Sequence, residues 1–163
     1  MNVFLKIHLL LMSIRIPGLR SGFVDQQSQK GYLNIKHAVR GLVKRHKLSI
    51  SRVNIFGNRL IAMDRKNSKL LFVVYKNGII WEKCFNLGDI MFCRIAKNFN
   101  TENGYVRKVN LELSLPPGEI ISFSFFDDED DDGRYLPGRI KKAQFWKSKI
   151  LLTRLYFTGT RGI

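Results

Sequence analysis

Cysteine is nearly absent from this 163-residue chain, which has only Cys84 and Cys93. Two thiols supply neither a disulfide framework nor a zinc-ligand set, so a reducing, cytoplasmic compartment is expected. Histidine is also scarce and lies wholly in the N-terminal third, at His8, His37 and His46. The region that reads as sheet therefore has no histidine to activate a serine or cysteine nucleophile. On a helix, His37 and His46 sit about 180° apart and share no ligand face, so solvated side chains are expected. A Walker loop, a dinucleotide-binding glycine pattern, a G-x-S-x-G elbow and an H-E-x-x-H pair are all missing. The sequence accordingly points to a non-enzymatic protein with no catalytic residue and no cofactor.

Long apolar runs are lacking too. Lys6, His8 and Arg15 interrupt the apolar stretch Met1–Ile16, whose longest clean run is Leu9–Met12. A membrane-spanning helix needs about 20 mostly apolar residues, and no small-x-small cleavage site precedes Pro17. Two readings remain open for this segment. One is an interfacial anchor in which apolar side chains of Val3–Ile16 dip into lipid beside Lys6, Arg15 and Arg20. The other is a frayed start that packs on nothing.

Acids are few and unevenly placed: 13 carboxylates face 28 lysines and arginines, for a net charge of +15. Residues 1–63 hold a single acid, Asp25, against 11 cations, a local excess of +10. Such a field favours anionic partners: phospholipid head groups, nucleic acid or an acidic protein surface. Six of the acids stand together as Asp127, Asp128, Glu129, Asp130, Asp131 and Asp132. Asp128, Asp130, Asp132 and Gly133 match the start of a calcium loop and make a weak metal candidate. The twelfth position, however, is Arg139 where a bidentate glutamate is needed, and Pro137 and Gly138 break the exit. The run therefore reads as a solvated loop, with no metal expected.

What is present is patterned. Pro17 to Gln29 has linker composition. Tyr32, Ile35, Val39, Leu42 and Val43 then recur at helical spacing over about Gly31–Lys47, with Lys36, Arg40, Lys44, Arg45 and Lys47 on the other faces. From Ile50 the apolar period becomes two. The spacing predicts strands over Ile50–Phe56, Leu60–Asp64, Lys69–Tyr75, Ile79–Asn86, Met91–Lys97, Tyr105–Leu115 and Glu119–Phe126. Asn77-Gly78 is the strongest hairpin signal. After the acidic run, Pro137 opens a helix to about Leu155, with the stripe Ile140, Ala143, Trp146, Ile150 and Leu151 inward. Phe72, Tyr75, Trp81, Phe85, Phe92, Phe123, Phe125 and Trp146 read as core. Met91, Cys93 and Ile95 are expected to face inward. Asp64 and Asp89 fall at strand ends, where capping a turn is expected over acid–base work. Were Asn86 to pair with Met91, the two cysteines would face each other; Glu82 shares a face with Cys84, so two separate buried thiols are expected over a redox pair.

The expected fold class is α+β, mainly β: a seven-stranded antiparallel sheet or partly open barrel, capped by a C-terminal helix and preceded by a basic amphipathic helix. The segments are 1–29 (apolar stretch and linker), 30–47 (basic helix), 48–155 (β domain with its helix) and 156–163 (tail). This order, with Phe56–Asn67 (FGNRLIAMDRKN), Leu87-Gly88-Asp89-Ile90 and Ala143–Ile150 (AQFWKSKI), resembles the uncharacterised bacterial pleckstrin-homology-like (PH-like) proteins. The resemblance covers roughly residues 50–152. It implies a small sheet domain behind a membrane-proximal N-terminal segment. The basic cluster of phosphoinositide-binding PH domains is not matched, since only Gly57, Asn58 and Arg59 occupy the first turn.

The function expected is an interaction or scaffold module on an anionic membrane surface or a protein partner, peripheral at the inner face of the membrane. Its candidate anionic-surface residues are Lys36, Arg40, Lys44, Arg45, Lys47, Arg65, Lys66 and Lys69. The alternative is a nucleic-acid-binding protein using the basic helix to contact phosphates, although no RNP-like or zinc-knuckle pattern accompanies the charge.

Overall fold

The computed structural model describes Ile35 and residues 38–159, with side chains as far as Tyr156. Expectations for Val3–Ile16, the 17–29 linker, Lys36 and His37 lie outside the described residues. The described residues are α+β and mainly β, with seven strands in two antiparallel sheets and a C-terminal helix. It divides into two compact units between Cys84 and Phe85.

In the first unit, Ile35 and residues 38–45 (α1) are helical. Ile35, Val39, Leu42 and Val43 recur at the spacing of one helix face and are buried, while Arg40, Gly41, Lys44 and Arg45 are exposed. The buried face joins Leu60, Ala62, Leu71 and Val73 in one apolar cluster. These come from the sheet β1 (Arg52–Phe56), β2 (Arg59–Asp64), β3 (Lys69–Lys76) and β4 (Ile79–Asn86), which are adjacent in that order. Leu60 pairs with Val73 and Ala62 with Leu71, so alternate residues of the two central strands share a face. Their other face, with Ile61, Met63, Leu70 and Phe72, is buried as well. The β3–β4 turn has Asn77 at φ 54° and Gly78 at φ 79°. Both central residues are left-handed, as the twist of a tight hairpin requires.

The end of α1 is closed by the chain itself. Lys47 N–H donates to the Lys44 carbonyl at 3.3 Å, and Leu48 N–H to the Val43 carbonyl at 2.9 Å. With Lys47 at φ 51°, this is a Schellman closure, sealed by the buried pair Val43 and Leu48. Glycine is the usual residue there, because a Cβ in the left-handed region meets the following carbonyl.

In the second unit, β5 (Phe92–Phe99), β6 (Val106–Leu115) and β7 (Glu119–Asp127) form a meander. The acidic run and a 3-10 turn at Gly133–Tyr135 lead into α2 (Leu136–Gly159), which packs on all three strands. Val109, Leu111, Leu113 and Leu115 alternate inward on β6, where Leu111 pairs with Phe123, Leu113 with Ile121 and Val109 with Phe126 of β7. The α2 side of this core is Ala143, Trp146 and Ile150, all fully buried, with Thr153. Phe123 and Phe125 stack edge to face, with ring centroids 5.5 Å apart.

Four expectations need correction. The strands do not make one seven-stranded sheet: they separate into four and three, between β4 and β5. The connection there is not a tight hairpin. A 3-10 turn, Leu87–Asp89, buries Leu87 and Ile90, and Met91 N–H donates to the Ser114 carbonyl at 2.8 Å, which starts β5 alongside β6. Second, Met91 and Phe92 are exposed, because the inward alternation of β5 begins at Cys93; Phe92 instead lies beside the Arg94 guanidinium, 5.7 Å from the ring centroid. Third, Trp81 is 66% exposed and does not belong to the core. Fourth, α2 continues to Gly159 instead of ending near Leu155, since nothing between 155 and 159 breaks a helix.

Candidate anionic-surface site

The basic residues singled out in the sequence come from two places in the first unit. Arg40, Lys44, Arg45 and Lys47 stand exposed on α1 and its closing turn. Arg65 and Lys66 stand exposed on the β2–β3 turn, and Lys69 opens β3. The two groups are about twenty residues apart in sequence, and one bond joins them: Lys69 Nζ donates to the His46 carbonyl at 3.2 Å.

Asp64 holds the β2–β3 turn in position for that bond. It is 1% exposed, and its Oδ2 accepts from Ser49 N–H and from Asn67 Nδ2, each at 2.6 Å. Its Oδ1 accepts from Asn67 N–H at 3.0 Å. Those contacts satisfy a buried carboxylate with backbone and amide donors, and they tie the turn to the segment leaving α1. Ser51 adds a second tie, donating through Oγ to the Met63 carbonyl at 2.9 Å and accepting from Arg65 N–H at 3.2 Å. Asp89 plays the smaller turn role expected of it, accepting from Asn86 Nδ2 at 3.1 Å.

Glu82 of β4 gives the patch an acidic border. Its Oε1 lies 2.9 Å from Arg45 Nη1 and 3.1 Å from His46 Nε2. His46 is therefore half-buried against a carboxylate, where solvation was expected; a lone histidine in a helical repeat gives no signal of a partner on a distant strand. Arg45 stays 67% exposed but shares its charge with Glu82, a surface ion pair. An open groove of about 440 Å³ runs beside this triad, lined by Ala38, Gly41, Leu42, Arg45, Ile80 and Glu82. At the β1–β2 turn the single cation, Arg59, is 3% exposed and contributes nothing to the surface.

The acidic run lies in the second unit, and its carboxylates diverge. Asp127 meets Lys108 at 3.0 Å, Asp128 meets Arg107 at 3.2 Å, and Glu129 meets the same guanidinium at 3.4 Å. Asp131 lies 3.7 Å from Arg139 in the most buried ion pair of the run, and its Oδ2 accepts from Asp127 N–H. Asp132 caps the 3-10 turn, accepting from Arg134 N–H and its guanidinium. Bonding to the Arg134 side chain, and then to its backbone, holds the Asp132 carboxyl below the usual carboxylate range. Asp128, Asp130 and Asp132 do not converge, and no cluster of three or more metal-ligating side chains occurs among the described residues.

Cys84 and Cys93 are free thiols, the first half-buried and the second buried. Burial pushes the Cys93 thiol up to about 11, with Lys147 acting weakly against it. Burial also raises Cys84, opposed by the nearby Lys69 ammonium. Neither is a poised nucleophile, which would require a lowered value. Among the described residues, no helix is long and apolar enough to cross a membrane. No family model matches the chain, and neither a curated protein nor a solved structure matches it.

Proposed function

We propose that this protein is a non-enzymatic interaction module that docks on an anionic membrane surface through the basic face of its first unit. In this reading it is a PH-like domain on the cytoplasmic side of a bacterial membrane. The order of seven strands followed by a packed helix supports the PH-like part.

The observation that supports the docking surface is the Lys69–His46 bond, which ties the start of β3, next to the Arg65–Lys66 turn, to the end of α1. Arg40, Lys44, Lys47, Arg65 and Lys66 then act on one surface together. Each cation near an anionic leaflet contributes about 1 kcal/mol, so five give roughly a thousandfold or more without any specific pocket. With Arg59 buried, attraction to charge density replaces recognition of one head group. The stretch Val3–Ile16, outside the described residues, adds apolar insertion to this mechanism.

Sedimentation with vesicles tests it. The full chain is expected to bind phosphatidylserine-containing vesicles, to ignore neutral phosphatidylcholine vesicles, and to lose binding as salt rises. Replacing Arg40, Lys44, Lys47, Arg65 and Lys66 with glutamine is expected to weaken binding by a factor on the order of a thousand. Equal binding to neutral and anionic vesicles overturns the reading. So does salt-dependent retention on nucleic acid without binding to vesicles.

A further inference from the structure

The helix α2 is apolar on two sides. Ala143, Trp146, Ile150 and Thr153 form the stripe buried against its own sheet. On the opposite side, Phe145, Leu152 and Tyr156 follow one another at i, i+7 and i+11, with Leu155 next to them, and these are 37%, 59%, 66% and 66% exposed. A helix packed on one sheet ordinarily turns charge outward, so large aliphatic side chains at such exposure are out of pattern for a surface facing only water. The rest of the helix supplies a charge signature: Leu136–Gly159 contains six lysines and arginines and no acid. Lys141 and Lys149 lie on or beside the outward stripe, and the Lys149 ammonium sits 5.6 Å from the Phe145 ring centroid. The acidic run does not reach this end: Asp127, Asp128 and Glu129 meet Lys108 and Arg107 on β6, and Asp131 and Asp132 meet Arg139 and Arg134 around the start of the helix. About 24 Å of helix separates Leu136 from Leu152.

We infer that the outward face of α2 is a second lipid-binding surface, which lies on an anionic bilayer and buries Leu152, Leu155, Tyr156 and Phe145 at the level of the head groups. The combination selects the partner. A cationic helix with aliphatic and aromatic side chains on the same exposed face gains from acyl chains and from phosphate together, which only a lipid surface offers side by side. A nucleic acid would engage the lysines and leave both leucines in water. The helix lies along the interface; it lacks the unbroken apolar length to cross. This surface belongs to the second unit and shares no residue with the basic face of the first.

The experiment uses the full chain and vesicles of phosphatidylcholine with and without phosphatidylserine. L152S combined with L155S is expected to lower partition into anionic vesicles about a hundredfold, with an unchanged melting temperature because both side chains are exposed. In a Trp81→Phe background, Y156W is expected to shift its emission to the blue on vesicle addition and to be quenched by lipids brominated along the acyl chain. Unaltered partition of the double serine variant, or an unshifted and unquenched Y156W, overturns the inference. If the five-glutamine variant of the first unit loses binding while the double serine variant keeps it, docking through the first unit stands and the α2 surface falls. The opposite pattern leaves α2 as the binding surface and removes the first unit's.

Discussion

Lys69 and His46, on different secondary-structure elements, meet through one side-chain ammonium on one backbone carbonyl, 3.2 Å apart. A carbonyl near a helix C-terminus is a partly negative group short of donors, and a lysine from the neighbouring strand satisfies it. Replacing Lys69 with methionine keeps the stem and removes the donor. Stability is expected to fall by about 1–2 kcal/mol in urea titrations. The Cys84 thiol, which the Lys69 ammonium holds down, is expected to rise further and to alkylate more slowly.

Within the acidic run, position decides weight. Asp131 and Arg139 are nearly buried, with side chains 7% and 11% exposed. D131A leaves a guanidinium in a dry place without this counter-charge and is expected to cost about 3 kcal/mol. Asp128 and Arg107 are open to water, and D128A is expected to leave the melting temperature nearly unchanged. Paired thermal melts of the two variants check the contrast.

Cys93 carries a pH dependence whose sign follows from burial. Its folded value is about 11, against 9.0 for an unperturbed thiol. The unfolded chain therefore releases this proton first as pH rises. The stabilising effect is complete below about pH 9 and is lost as pH climbs toward 11. A Cys93→Ala variant is expected to lose less stability over that window. At pH 8, iodoacetamide followed by peptide mass spectrometry is expected to find Cys84 modified before Cys93.

Lys47 holds a left-handed slot that suits glycine. K47G is expected to gain about 0.5–1 kcal/mol by relieving the Cβ, after the extra freedom of glycine in the unfolded chain is subtracted. Affinity for anionic vesicles is expected to drop about fivefold through loss of one cation. Opposite signs in a melting curve and a vesicle titration would mark a residue kept for its charge.

The strands were legible because their turns announce themselves. Asn77-Gly78 fixes one hairpin, and β6 alternates without interruption from Val109 to Leu115. The division into two sheets was not legible, since it depends on Leu87 and Ile90 finding burial, which no local period reports. Phe126 shows a similar limit: a register shift between β6 and β7 at Val109/Asn110 lets Phe125 and Phe126 both be buried, where alternation allows one. At the candidate site the cations could be read from composition and helical spacing. Their union could not, because it hangs on the Asp64 contacts and the Lys69–His46 bond between segments distant in sequence. The outward stripe of α2 also escaped, since an apolar residue on a helix reads the same whether a core or open solvent lies above it.

The out-facing leucines of α2 have a further consequence in solution. Exposed aliphatic side chains on a rigid helix invite two copies to stick, and what opposes this is mutual repulsion between molecules of net charge +15. That repulsion reaches about 10 Å at 0.1 M salt and only about 3 Å at 1 M. Concentrated salt is therefore expected to drive the chain into reversible clusters, seen as rising light scattering that dilution into low salt reverses. The charge that would direct the protein to a surface thus also works as its dispersant until it arrives.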